Sequence, residues 1–177
     1  MNFQNQFIEL TEHYDLNSAQ VESFELFVQL LLSWNKRTNL ISRNDTHRII
    51  ERHLSESLAF LSSPALQGET LRVLDIGTGA GLPGIPLAIA RPQWSFVLLD
   101  SRKIKTLFLQ DVVKQLGLHH VTVVCERAES YTSHPLFDVV TARAVARLPR
   151  LLGYALPLVE KNGALVALKG GDLNDEL

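Results

Sequence analysis

Residues 71–90 constrain the fold more than any other part of the chain. An apolar run, Leu71-Arg72-Val73-Leu74, leads into Asp75-Ile76-Gly77-Thr78-Gly79-Ala80-Gly81-Leu82-Pro83-Gly84-Ile85-Pro86, and Leu87-Ala88-Ile89-Ala90 follows. That order is strand, glycine loop, helix. Glycine admits positive φ and carries no Cβ to hold a ligand away from the backbone. The start of the following helix offers unpaired N–H groups to a polar group. Such a turn can exist for packing alone. Three alternating glycines behind an acid point instead to a bound nucleoside-like group.

The flanking pattern extends this unit into an α/β sheet. Strands are expected at 71–76, 95–99, 121–125, from Phe137 to Thr141, and from Gly163 to Leu168. Helices are expected at 85–90 and 102–116, and again around Leu151, Leu152, Ala155 and Leu158. In the second, Ile104, Leu107, Phe108, Val112 and Leu116 form an apolar stripe. Near-continuous apolar strands separated by helices imply a parallel sheet covered on both faces. Right-handed crossovers then make it a doubly wound, Rossmann-like sheet.

Residues 1–68 read as a helical extension ahead of this core, which would occupy 69–177. Asn17 and Gln20 resemble a capping box, and Val21, Phe24, Val28, Leu31 and Leu32 recur at helical spacing behind them. A further helix is expected from about Thr46 to Leu61, and Ser62-Ser63-Pro64 with Gln67-Gly68 makes a polar hinge.

Composition bounds the setting. With 177 residues and 46% hydrophobic content, the chain can bury a sizeable core. It has no run of 18 apolar residues and no basic-then-apolar leader, so neither a membrane span nor a signal peptide is expected. A single cysteine excludes an internal disulfide and a cysteine-rich metal site; no metal and a cytoplasmic setting are the expectation. The formal net charge of −2 argues against a strong nonspecific nucleic-acid binder. Cations nevertheless cluster at Lys36, Arg37, Arg43, Arg48 and Arg52, and again at Arg143, Arg147 and Arg150. These read either as solvated helix faces or as a local surface for phosphates.

In such a sheet the ligand sits beyond the carboxyl ends of the strands. Those ends supply Asp75, Gly77, Thr78, Gly79 and Gly81, then Asp100 and Ser101, then Glu126 to Glu129, then Thr141 to Arg143, and Lys169 with Gly170. A dinucleotide fingerprint needs glycine at its first, third and sixth positions, and here the sixth is Leu82. The run Asp75-x-Gly77-x-Gly79-x-Gly81 resembles the first motif of S-adenosylmethionine (SAM) methyltransferases instead. Asp100 falls about 20 residues later, where a carboxylate can accept from ribose hydroxyls; its plainer role is to cap the next helix. Cys125, inside an apolar strand, is expected to be a buried structural thiol rather than a nucleophile. No Asn-Pro-Pro-aromatic run follows the fourth strand, where Thr141-Ala142-Arg143-Ala144 stands.

A wider series of motifs then occurs in one order: Trp34-Asn35 with Asn39-Leu40, Arg52-His53-Leu54-x-x-Ser57-Leu58, the Gly77-to-Pro86 loop, Arg127-Ala128-Glu129, Thr141-Ala142-Arg143-Ala144, and Leu168-Lys169-Gly170. Together they resemble the RsmG (GidB) family of 16S ribosomal RNA guanine-N7 methyltransferases, over nearly the whole chain. The resemblance implies a SAM-dependent enzyme acting on one guanine of 16S rRNA near the decoding region, with the RNA or the 30S subunit as partner, and a monomer. Family binding positions carry over to Gly77, Leu82, Ala128, Glu129 and Arg143. Asp75, Thr78, Gly79, Gly81, Asp100 and Ser101 fit the same site. Arg143 would lie between cofactor and target base. His53 and Lys169 are further candidates on the RNA side, and His53 reads equally as a partly buried histidine bonded to backbone. Asn39 reads equally as a turn residue.

Guanine N7 carries an in-plane lone pair, so the chemistry demands alignment more than a base. Two departures from the family pattern stand out. Glu56 occupies a position that is commonly aspartate. The chain also ends at Leu177, before two strands with which the family usually finishes its sheet, so those last strands are expected to be missing.

Overall fold

The computed structural model describes residues 4–168. Lys169 and Gly170 lie outside the described residues, and so does the chain beyond them. Five parallel strands form one sheet: β1 (Arg72–Ile76), β2 (Ser95–Asp100), β3 (Val121–Cys125), β4 (Phe137–Arg143) and β5 (Val159–Leu168), in the order β3-β2-β1-β4-β5. This is the doubly wound arrangement expected. The chain runs outward from β1 to β3, returns, and continues outward on the other side through β4 and β5. The switch point therefore lies beyond the ends of β1 and β4.

The strands bury themselves as their composition demands. Val73, Leu74 and Ile76 of β1 are buried, as are Leu98 and Leu99 of β2 and Val139, Val140 and Ala142 of β4. β5 is longer than the apolar run alone suggests. It begins at Val159, where a register irregularity opposite Phe137 and Val139 lets Val159 pair with Phe137.

Helices cover the sheet. α1 (Gln4–Tyr14) and α2 (Ser18–Asn35) come first, while α4 (Gly84–Ala90), α5 (Lys103–Gln115) and α6 (Leu148–Ala155) are crossover helices. The capping box at the start of α2 forms in full: the Asn17 side chain accepts from Gln20 N–H at 3.0 Å, and Asn17 N–H donates back at 3.0 Å. Gln20 also ties this layer to the core, because its amide donates to the carbonyls of Ile89 and Ala90 at the end of α4. At the far end of α2, Trp34 Nε1–H donates to Asp111 Oδ2 on α5 at 2.9 Å and its ring packs edge-on against Phe108. One continuous cluster of buried side chains runs from Phe7 through the helical layer to Val139 on the sheet.

Three expectations are corrected. The segment after Arg43 is not one regular helix. It passes from a 3-10 turn (Arg43–Arg48) through a π turn (Ile49–Leu54) into one α-helical turn, α3 (Ser55–Leu58), and a closing 3-10 turn (Ala59–Ser62). The wide π turn buries Ile49, Ile50, His53 and Leu54 together while leaving Arg52 exposed. On α5 the buried stripe is Thr106, Phe108, Leu109 and Val112, whereas Ile104 and Leu107 are 47% and 41% exposed. A 3.6-residue period permits either frame, and the face that meets the sheet selects between them. Cys125 is exposed rather than buried. It is the last residue of β3, and β3 is an edge strand, so apolar neighbours in sequence do not enclose it.

Among the described residues no helix is long and apolar enough to cross a membrane.

Candidate active site

The loop after β1 is built by its glycines. Gly77, Gly79 and Gly81 have φ of +64°, +61° and +79°, a region that side chains disfavour. Thr78 N–H donates to Leu99 O, pinning the loop to the end of β2, and the amides of Gly81 and Leu82 fold back onto Thr78 O. Gly81 is packed from behind: a Cβ there would stand 2.6 Å from Ile85 Cγ1 and 2.9 Å from Leu109 Cδ2.

Asp75 is fully buried beneath this loop. Its Oδ2 accepts from Gly84 N–H at 3.0 Å and its Oδ1 from the Thr141 hydroxyl at 3.1 Å. The acid thus fastens the start of α4 and the neighbouring strand β4 to the end of β1. Burial pushes its pKa up to about 6, and these donors only partly offset that. Asp75 and Gly81 shape the loop from behind; neither forms part of a cavity wall.

Two cavities flank the loop. The smaller, about 330 Å³, lies beyond β2 and β3 and is lined by Gly77, Asp100, Ser101, Lys105, Ala128, Glu129, Val145, Arg150 and Tyr154 among others. The larger, about 480 Å³, lies beyond β1 and β4 and is lined by Leu40, Ile41, Arg52, His53, Glu56, Gly77, Thr78, Gly79, Leu82, Lys105, Arg143 and Ala144 among others. The sequence-derived candidates therefore sort themselves into two groups: Asp100, Ser101, Ala128 and Glu129 on the smaller cavity; Thr78, Gly79, Leu82, His53 and Arg143 on the larger; Gly77 between. Asn39 lies on neither wall.

Asp100 ties the end of β2 to the glycine loop. Its Oδ1 accepts from Arg102 N–H at 2.9 Å in the turn ahead of α5, and its Oδ2 accepts from Gly79 N–H at 3.0 Å. A carboxylate held at a cavity wall in this way has lone pairs left for ribose hydroxyls. The glycine loop, this acid and the Ala128–Glu129 backbone together fit an adenosine with a polar tail.

In the larger cavity Arg143 is the organising residue. Its guanidinium donates to Glu56 Oε2 at 3.1 Å and to His53 Nδ1 at 3.2 Å. Glu56, which departs from the usual aspartate, still reaches the arginine. Arginine has only donors, so His53 Nδ1 must be the acceptor and the ring proton sits on Nε2. Burial, reinforced by the Arg143 charge, drives the His53 pKa down to about 4, so the ring is neutral. Its Nε2 is buried without a partner. The backbone turns sharply just past Arg143, with Ala144 at φ +52°, a conformation rare outside glycine that is found at functional sites.

Comparison with known proteins decides the lineage. Residues 20–177 match the family profile described as rRNA small subunit methyltransferase G. The chain belongs to that family. It is 44% identical to the Ribosomal RNA small subunit methyltransferase G of Desulfitobacterium hafniense, over 92% of this chain and 68% of that protein. It is equally 44% identical to the namesake of Nitrosococcus oceani, over 92% of this chain and 74% of that one. Among solved structures, a SAM-dependent methyltransferase from Thiobacillus denitrificans in complex with S-adenosyl-L-homocysteine superposes with a TM-score of 0.53 at 19% identity, covering 78% of this chain and 52% of that one. Coclaurine N-methyltransferase gives 0.59 at 11% identity, covering 93% and 55%. At such identities these structures establish the class I methyltransferase fold and nothing finer.

Sequence reading overlooked several wall residues of this family member. Lys105, Arg150 and Tyr154 lie on helices rather than at strand ends. Arg150 donates to the Tyr154 hydroxyl and to Glu129 Oε1, at 3.3 Å for the latter. A signal for Lys105 was available: it follows Asp100 by five residues, in the first turn of α5. Leu40 was flagged only as part of the Asn39-Leu40 motif and Ile41 carried no signal, because only the folded chain brings them to the cavity.

Proposed function

We propose that this protein transfers a methyl group from SAM to N7 of one guanine in 16S ribosomal RNA, in the cytoplasm and as a monomer. In the smaller cavity Asp100 would hold the ribose of the cofactor, and Ala128 and Glu129 its adenine. Gly77, which lines both cavities, would leave room for the methyl-donor end toward the larger cavity, where the guanine would enter. SAM supplies the activated methyl group and its own leaving group.

The protein's residues align and shield. The Gly77–Gly81 loop holds the methyl donor close to the backbone. Arg143 faces the entering base, and its guanidinium suits guanine O6, the acceptor beside N7. In-line transfer forms the N7–methyl bond and breaks the carbon–sulfur bond, whose electron pair stays on sulfur. The positive charge passes from sulfur to the guanine and no proton leaves. Glu56 balances the Arg143 charge beside this cationic path, and neutral His53 adds none.

One observation carries N7 over other positions. Among the described residues, the side chains that Arg143 touches and that could take a proton are Glu56 and His53, and both are engaged by its guanidinium. Alkylation of an exocyclic amine or of a pyrimidine carbon requires deprotonation or a nucleophile. N7 requires neither.

Incubation with methyl-labelled SAM and 30S particles, then nucleoside analysis, tests this. Label in 7-methylguanosine at one 16S position is expected. Label in another nucleoside, or in protein, overturns the substrate assignment.

A further inference from the structure

Among the described residues, Lys105 is the one charged residue that lines both cavities. It rises from the first turn of α5, its side chain is only 18% exposed, and its ammonium lies 3.9 Å from Asp100 Oδ2. It also overlies the glycine loop: a Cβ placed on Gly79 would stand 3.2 Å from Lys105 Nζ. A 3.9 Å separation is an ion pair but not a hydrogen bond, so Asp100 leaves the donors of this ammonium available. Arg102 and Arg127 line only the smaller cavity, and the cations left on the walls are more firmly held. Arg143 is engaged by Glu56 and His53, Arg52 by Asp45, and Arg150 by Glu129 and Tyr154.

A ligand that spans the two cavities must pass this ammonium. On the reading above, that ligand carries a sulfonium, an α-amino group and an α-carboxylate. The two cationic groups repel Lys105, and the carboxylate is the one part that attracts it. Asp100 changes partners in the same event, because ribose hydroxyls compete for the oxygen that Lys105 now faces.

We propose that Lys105 is the binding residue for the α-carboxylate of the cofactor's methionine moiety, and that in the ligand-free site it rests over Gly79 as the counter-ion of Asp100. The inference rests on the SAM reading. It makes Lys105 a selector for the amino-acid tail: adenosine-type ligands without the carboxylate gain nothing from the residue and must still displace it from Asp100.

Calorimetric titration tests this with S-adenosylhomocysteine and with its decarboxylated analogue, 5′-deoxy-5′-(3-aminopropylthio)adenosine. Lys105→Met is expected to weaken S-adenosylhomocysteine about tenfold or more, the loss typical of one charge-assisted hydrogen bond, and to leave the analogue's affinity unchanged or higher. Lys105→Arg, which keeps the charge, is expected to retain most of the affinity. Melting curves of both variants near wild type confirm that the fold is intact. Equal weakening of both ligands by Lys105→Met overturns the carboxylate assignment while leaving the SAM reading in place. Unchanged binding of both, with a raised KM for RNA, also overturns it and assigns the ammonium to an RNA phosphate. If wild-type protein binds neither ligand, the SAM reading fails, and this inference with it.

Discussion

On the proposed function, Arg143 serves the reaction and Asp75 the fold. Arg143 stands on the cavity wall, and its removal leaves no deeply buried charge unpaired: buried His53 is neutral and Glu56 retains 42% exposure. Arg143→Ala is therefore expected to cut methyl transfer by about 10² or more, as loss of an electrostatic positioning group does, with little change in melting temperature. Arg143→Lys is expected to rescue poorly, because one ammonium cannot reproduce a fork that reaches both Glu56 and His53. An unchanged rate in a folded Arg143→Ala variant removes the residue from the site. Asp75 is the opposite case. Its folded pKa, about 6, lies above its ordinary value of 3.8, so the folded protein holds its proton more tightly than the unfolded chain. The sign follows directly: its contribution to stability is fully present below pH about 4 and is lost as pH rises through about 6. Measured against Asp75→Asn, wild type is expected to lose about 3 kcal/mol of relative stability across that window, at 1.36 kcal/mol per pKa unit. Urea unfolding of the pair at pH 4 and pH 7 checks it, and a difference that does not vary with pH refutes the claim.

The glycine loop argues at the scale of an element. Gly79 and Gly81 have nearly the same backbone conformation but different surroundings. A methyl group at Gly79 meets the mobile end of Lys105, whereas at Gly81 it meets the stems of Ile85 and Leu109. Both alanine variants carry the left-handed backbone cost of about 1–2 kcal/mol. Gly81→Ala adds overpacking of roughly 1–3 kcal/mol. Gly81→Ala is thus expected to be the less stable protein in urea titration, and Gly79→Ala the one that loses cofactor affinity while staying folded; the reverse order would refute this division. The same loop explains how much the sequence disclosed. Its glycines, Asp75 and Asp100 are local signals at fixed offsets from a strand, so the fold and the cofactor end of the site are legible in the order of residues. Elements whose shape depends on partners are not. The π turn that buries His53 beside Arg143 has the composition of an ordinary helix. The exposed state of Cys125 follows from β3 being an edge, which strand order decides and local hydrophobicity does not. Ile104 and Leu107 match the helical period as well as Thr106 and Leu109 do, and only contact with the sheet chooses between them.

For the whole molecule, the question is why a methyltransferase sheet carries a helical layer at all. That layer supplies part of the wall of the larger cavity, where the reaction is proposed to occur. The turn after α2 brings Leu40 and Ile41 to one wall of the larger cavity, and the π turn and α3 bring His53 and Glu56 to another. The first of these walls is held from within the layer. Buried Asn35, the last residue of α2, accepts with its Oδ1 from the amides of Leu40 at 2.9 Å and Ile41 at 3.1 Å. Trp34, one residue earlier, anchors the same end of α2 to Asp111 on α5. The Trp34-Asn35 pair is thus a hinge pin: one side chain fixes the helix to the sheet unit, and the other fixes the loop to the helix. Asn35→Ala leaves two amides without their acceptor, at a cost of about 1–3 kcal/mol for each that stays unsatisfied. Because Asp100, Ala128 and Glu129 lie on the far cavity and do not depend on this loop, the damage is expected to be selective. Asn35→Ala should keep S-adenosylhomocysteine affinity within about twofold of wild type, a change worth only about 0.4 kcal/mol, while kcat/KM for 30S particles falls by at least about tenfold, because misplaced walls cost alignment of the base. Equal losses of cofactor affinity and RNA methylation would show that the helical layer supports the whole fold indifferently. Selective loss of methylation would show that it supplies the wall against which the guanine is aligned.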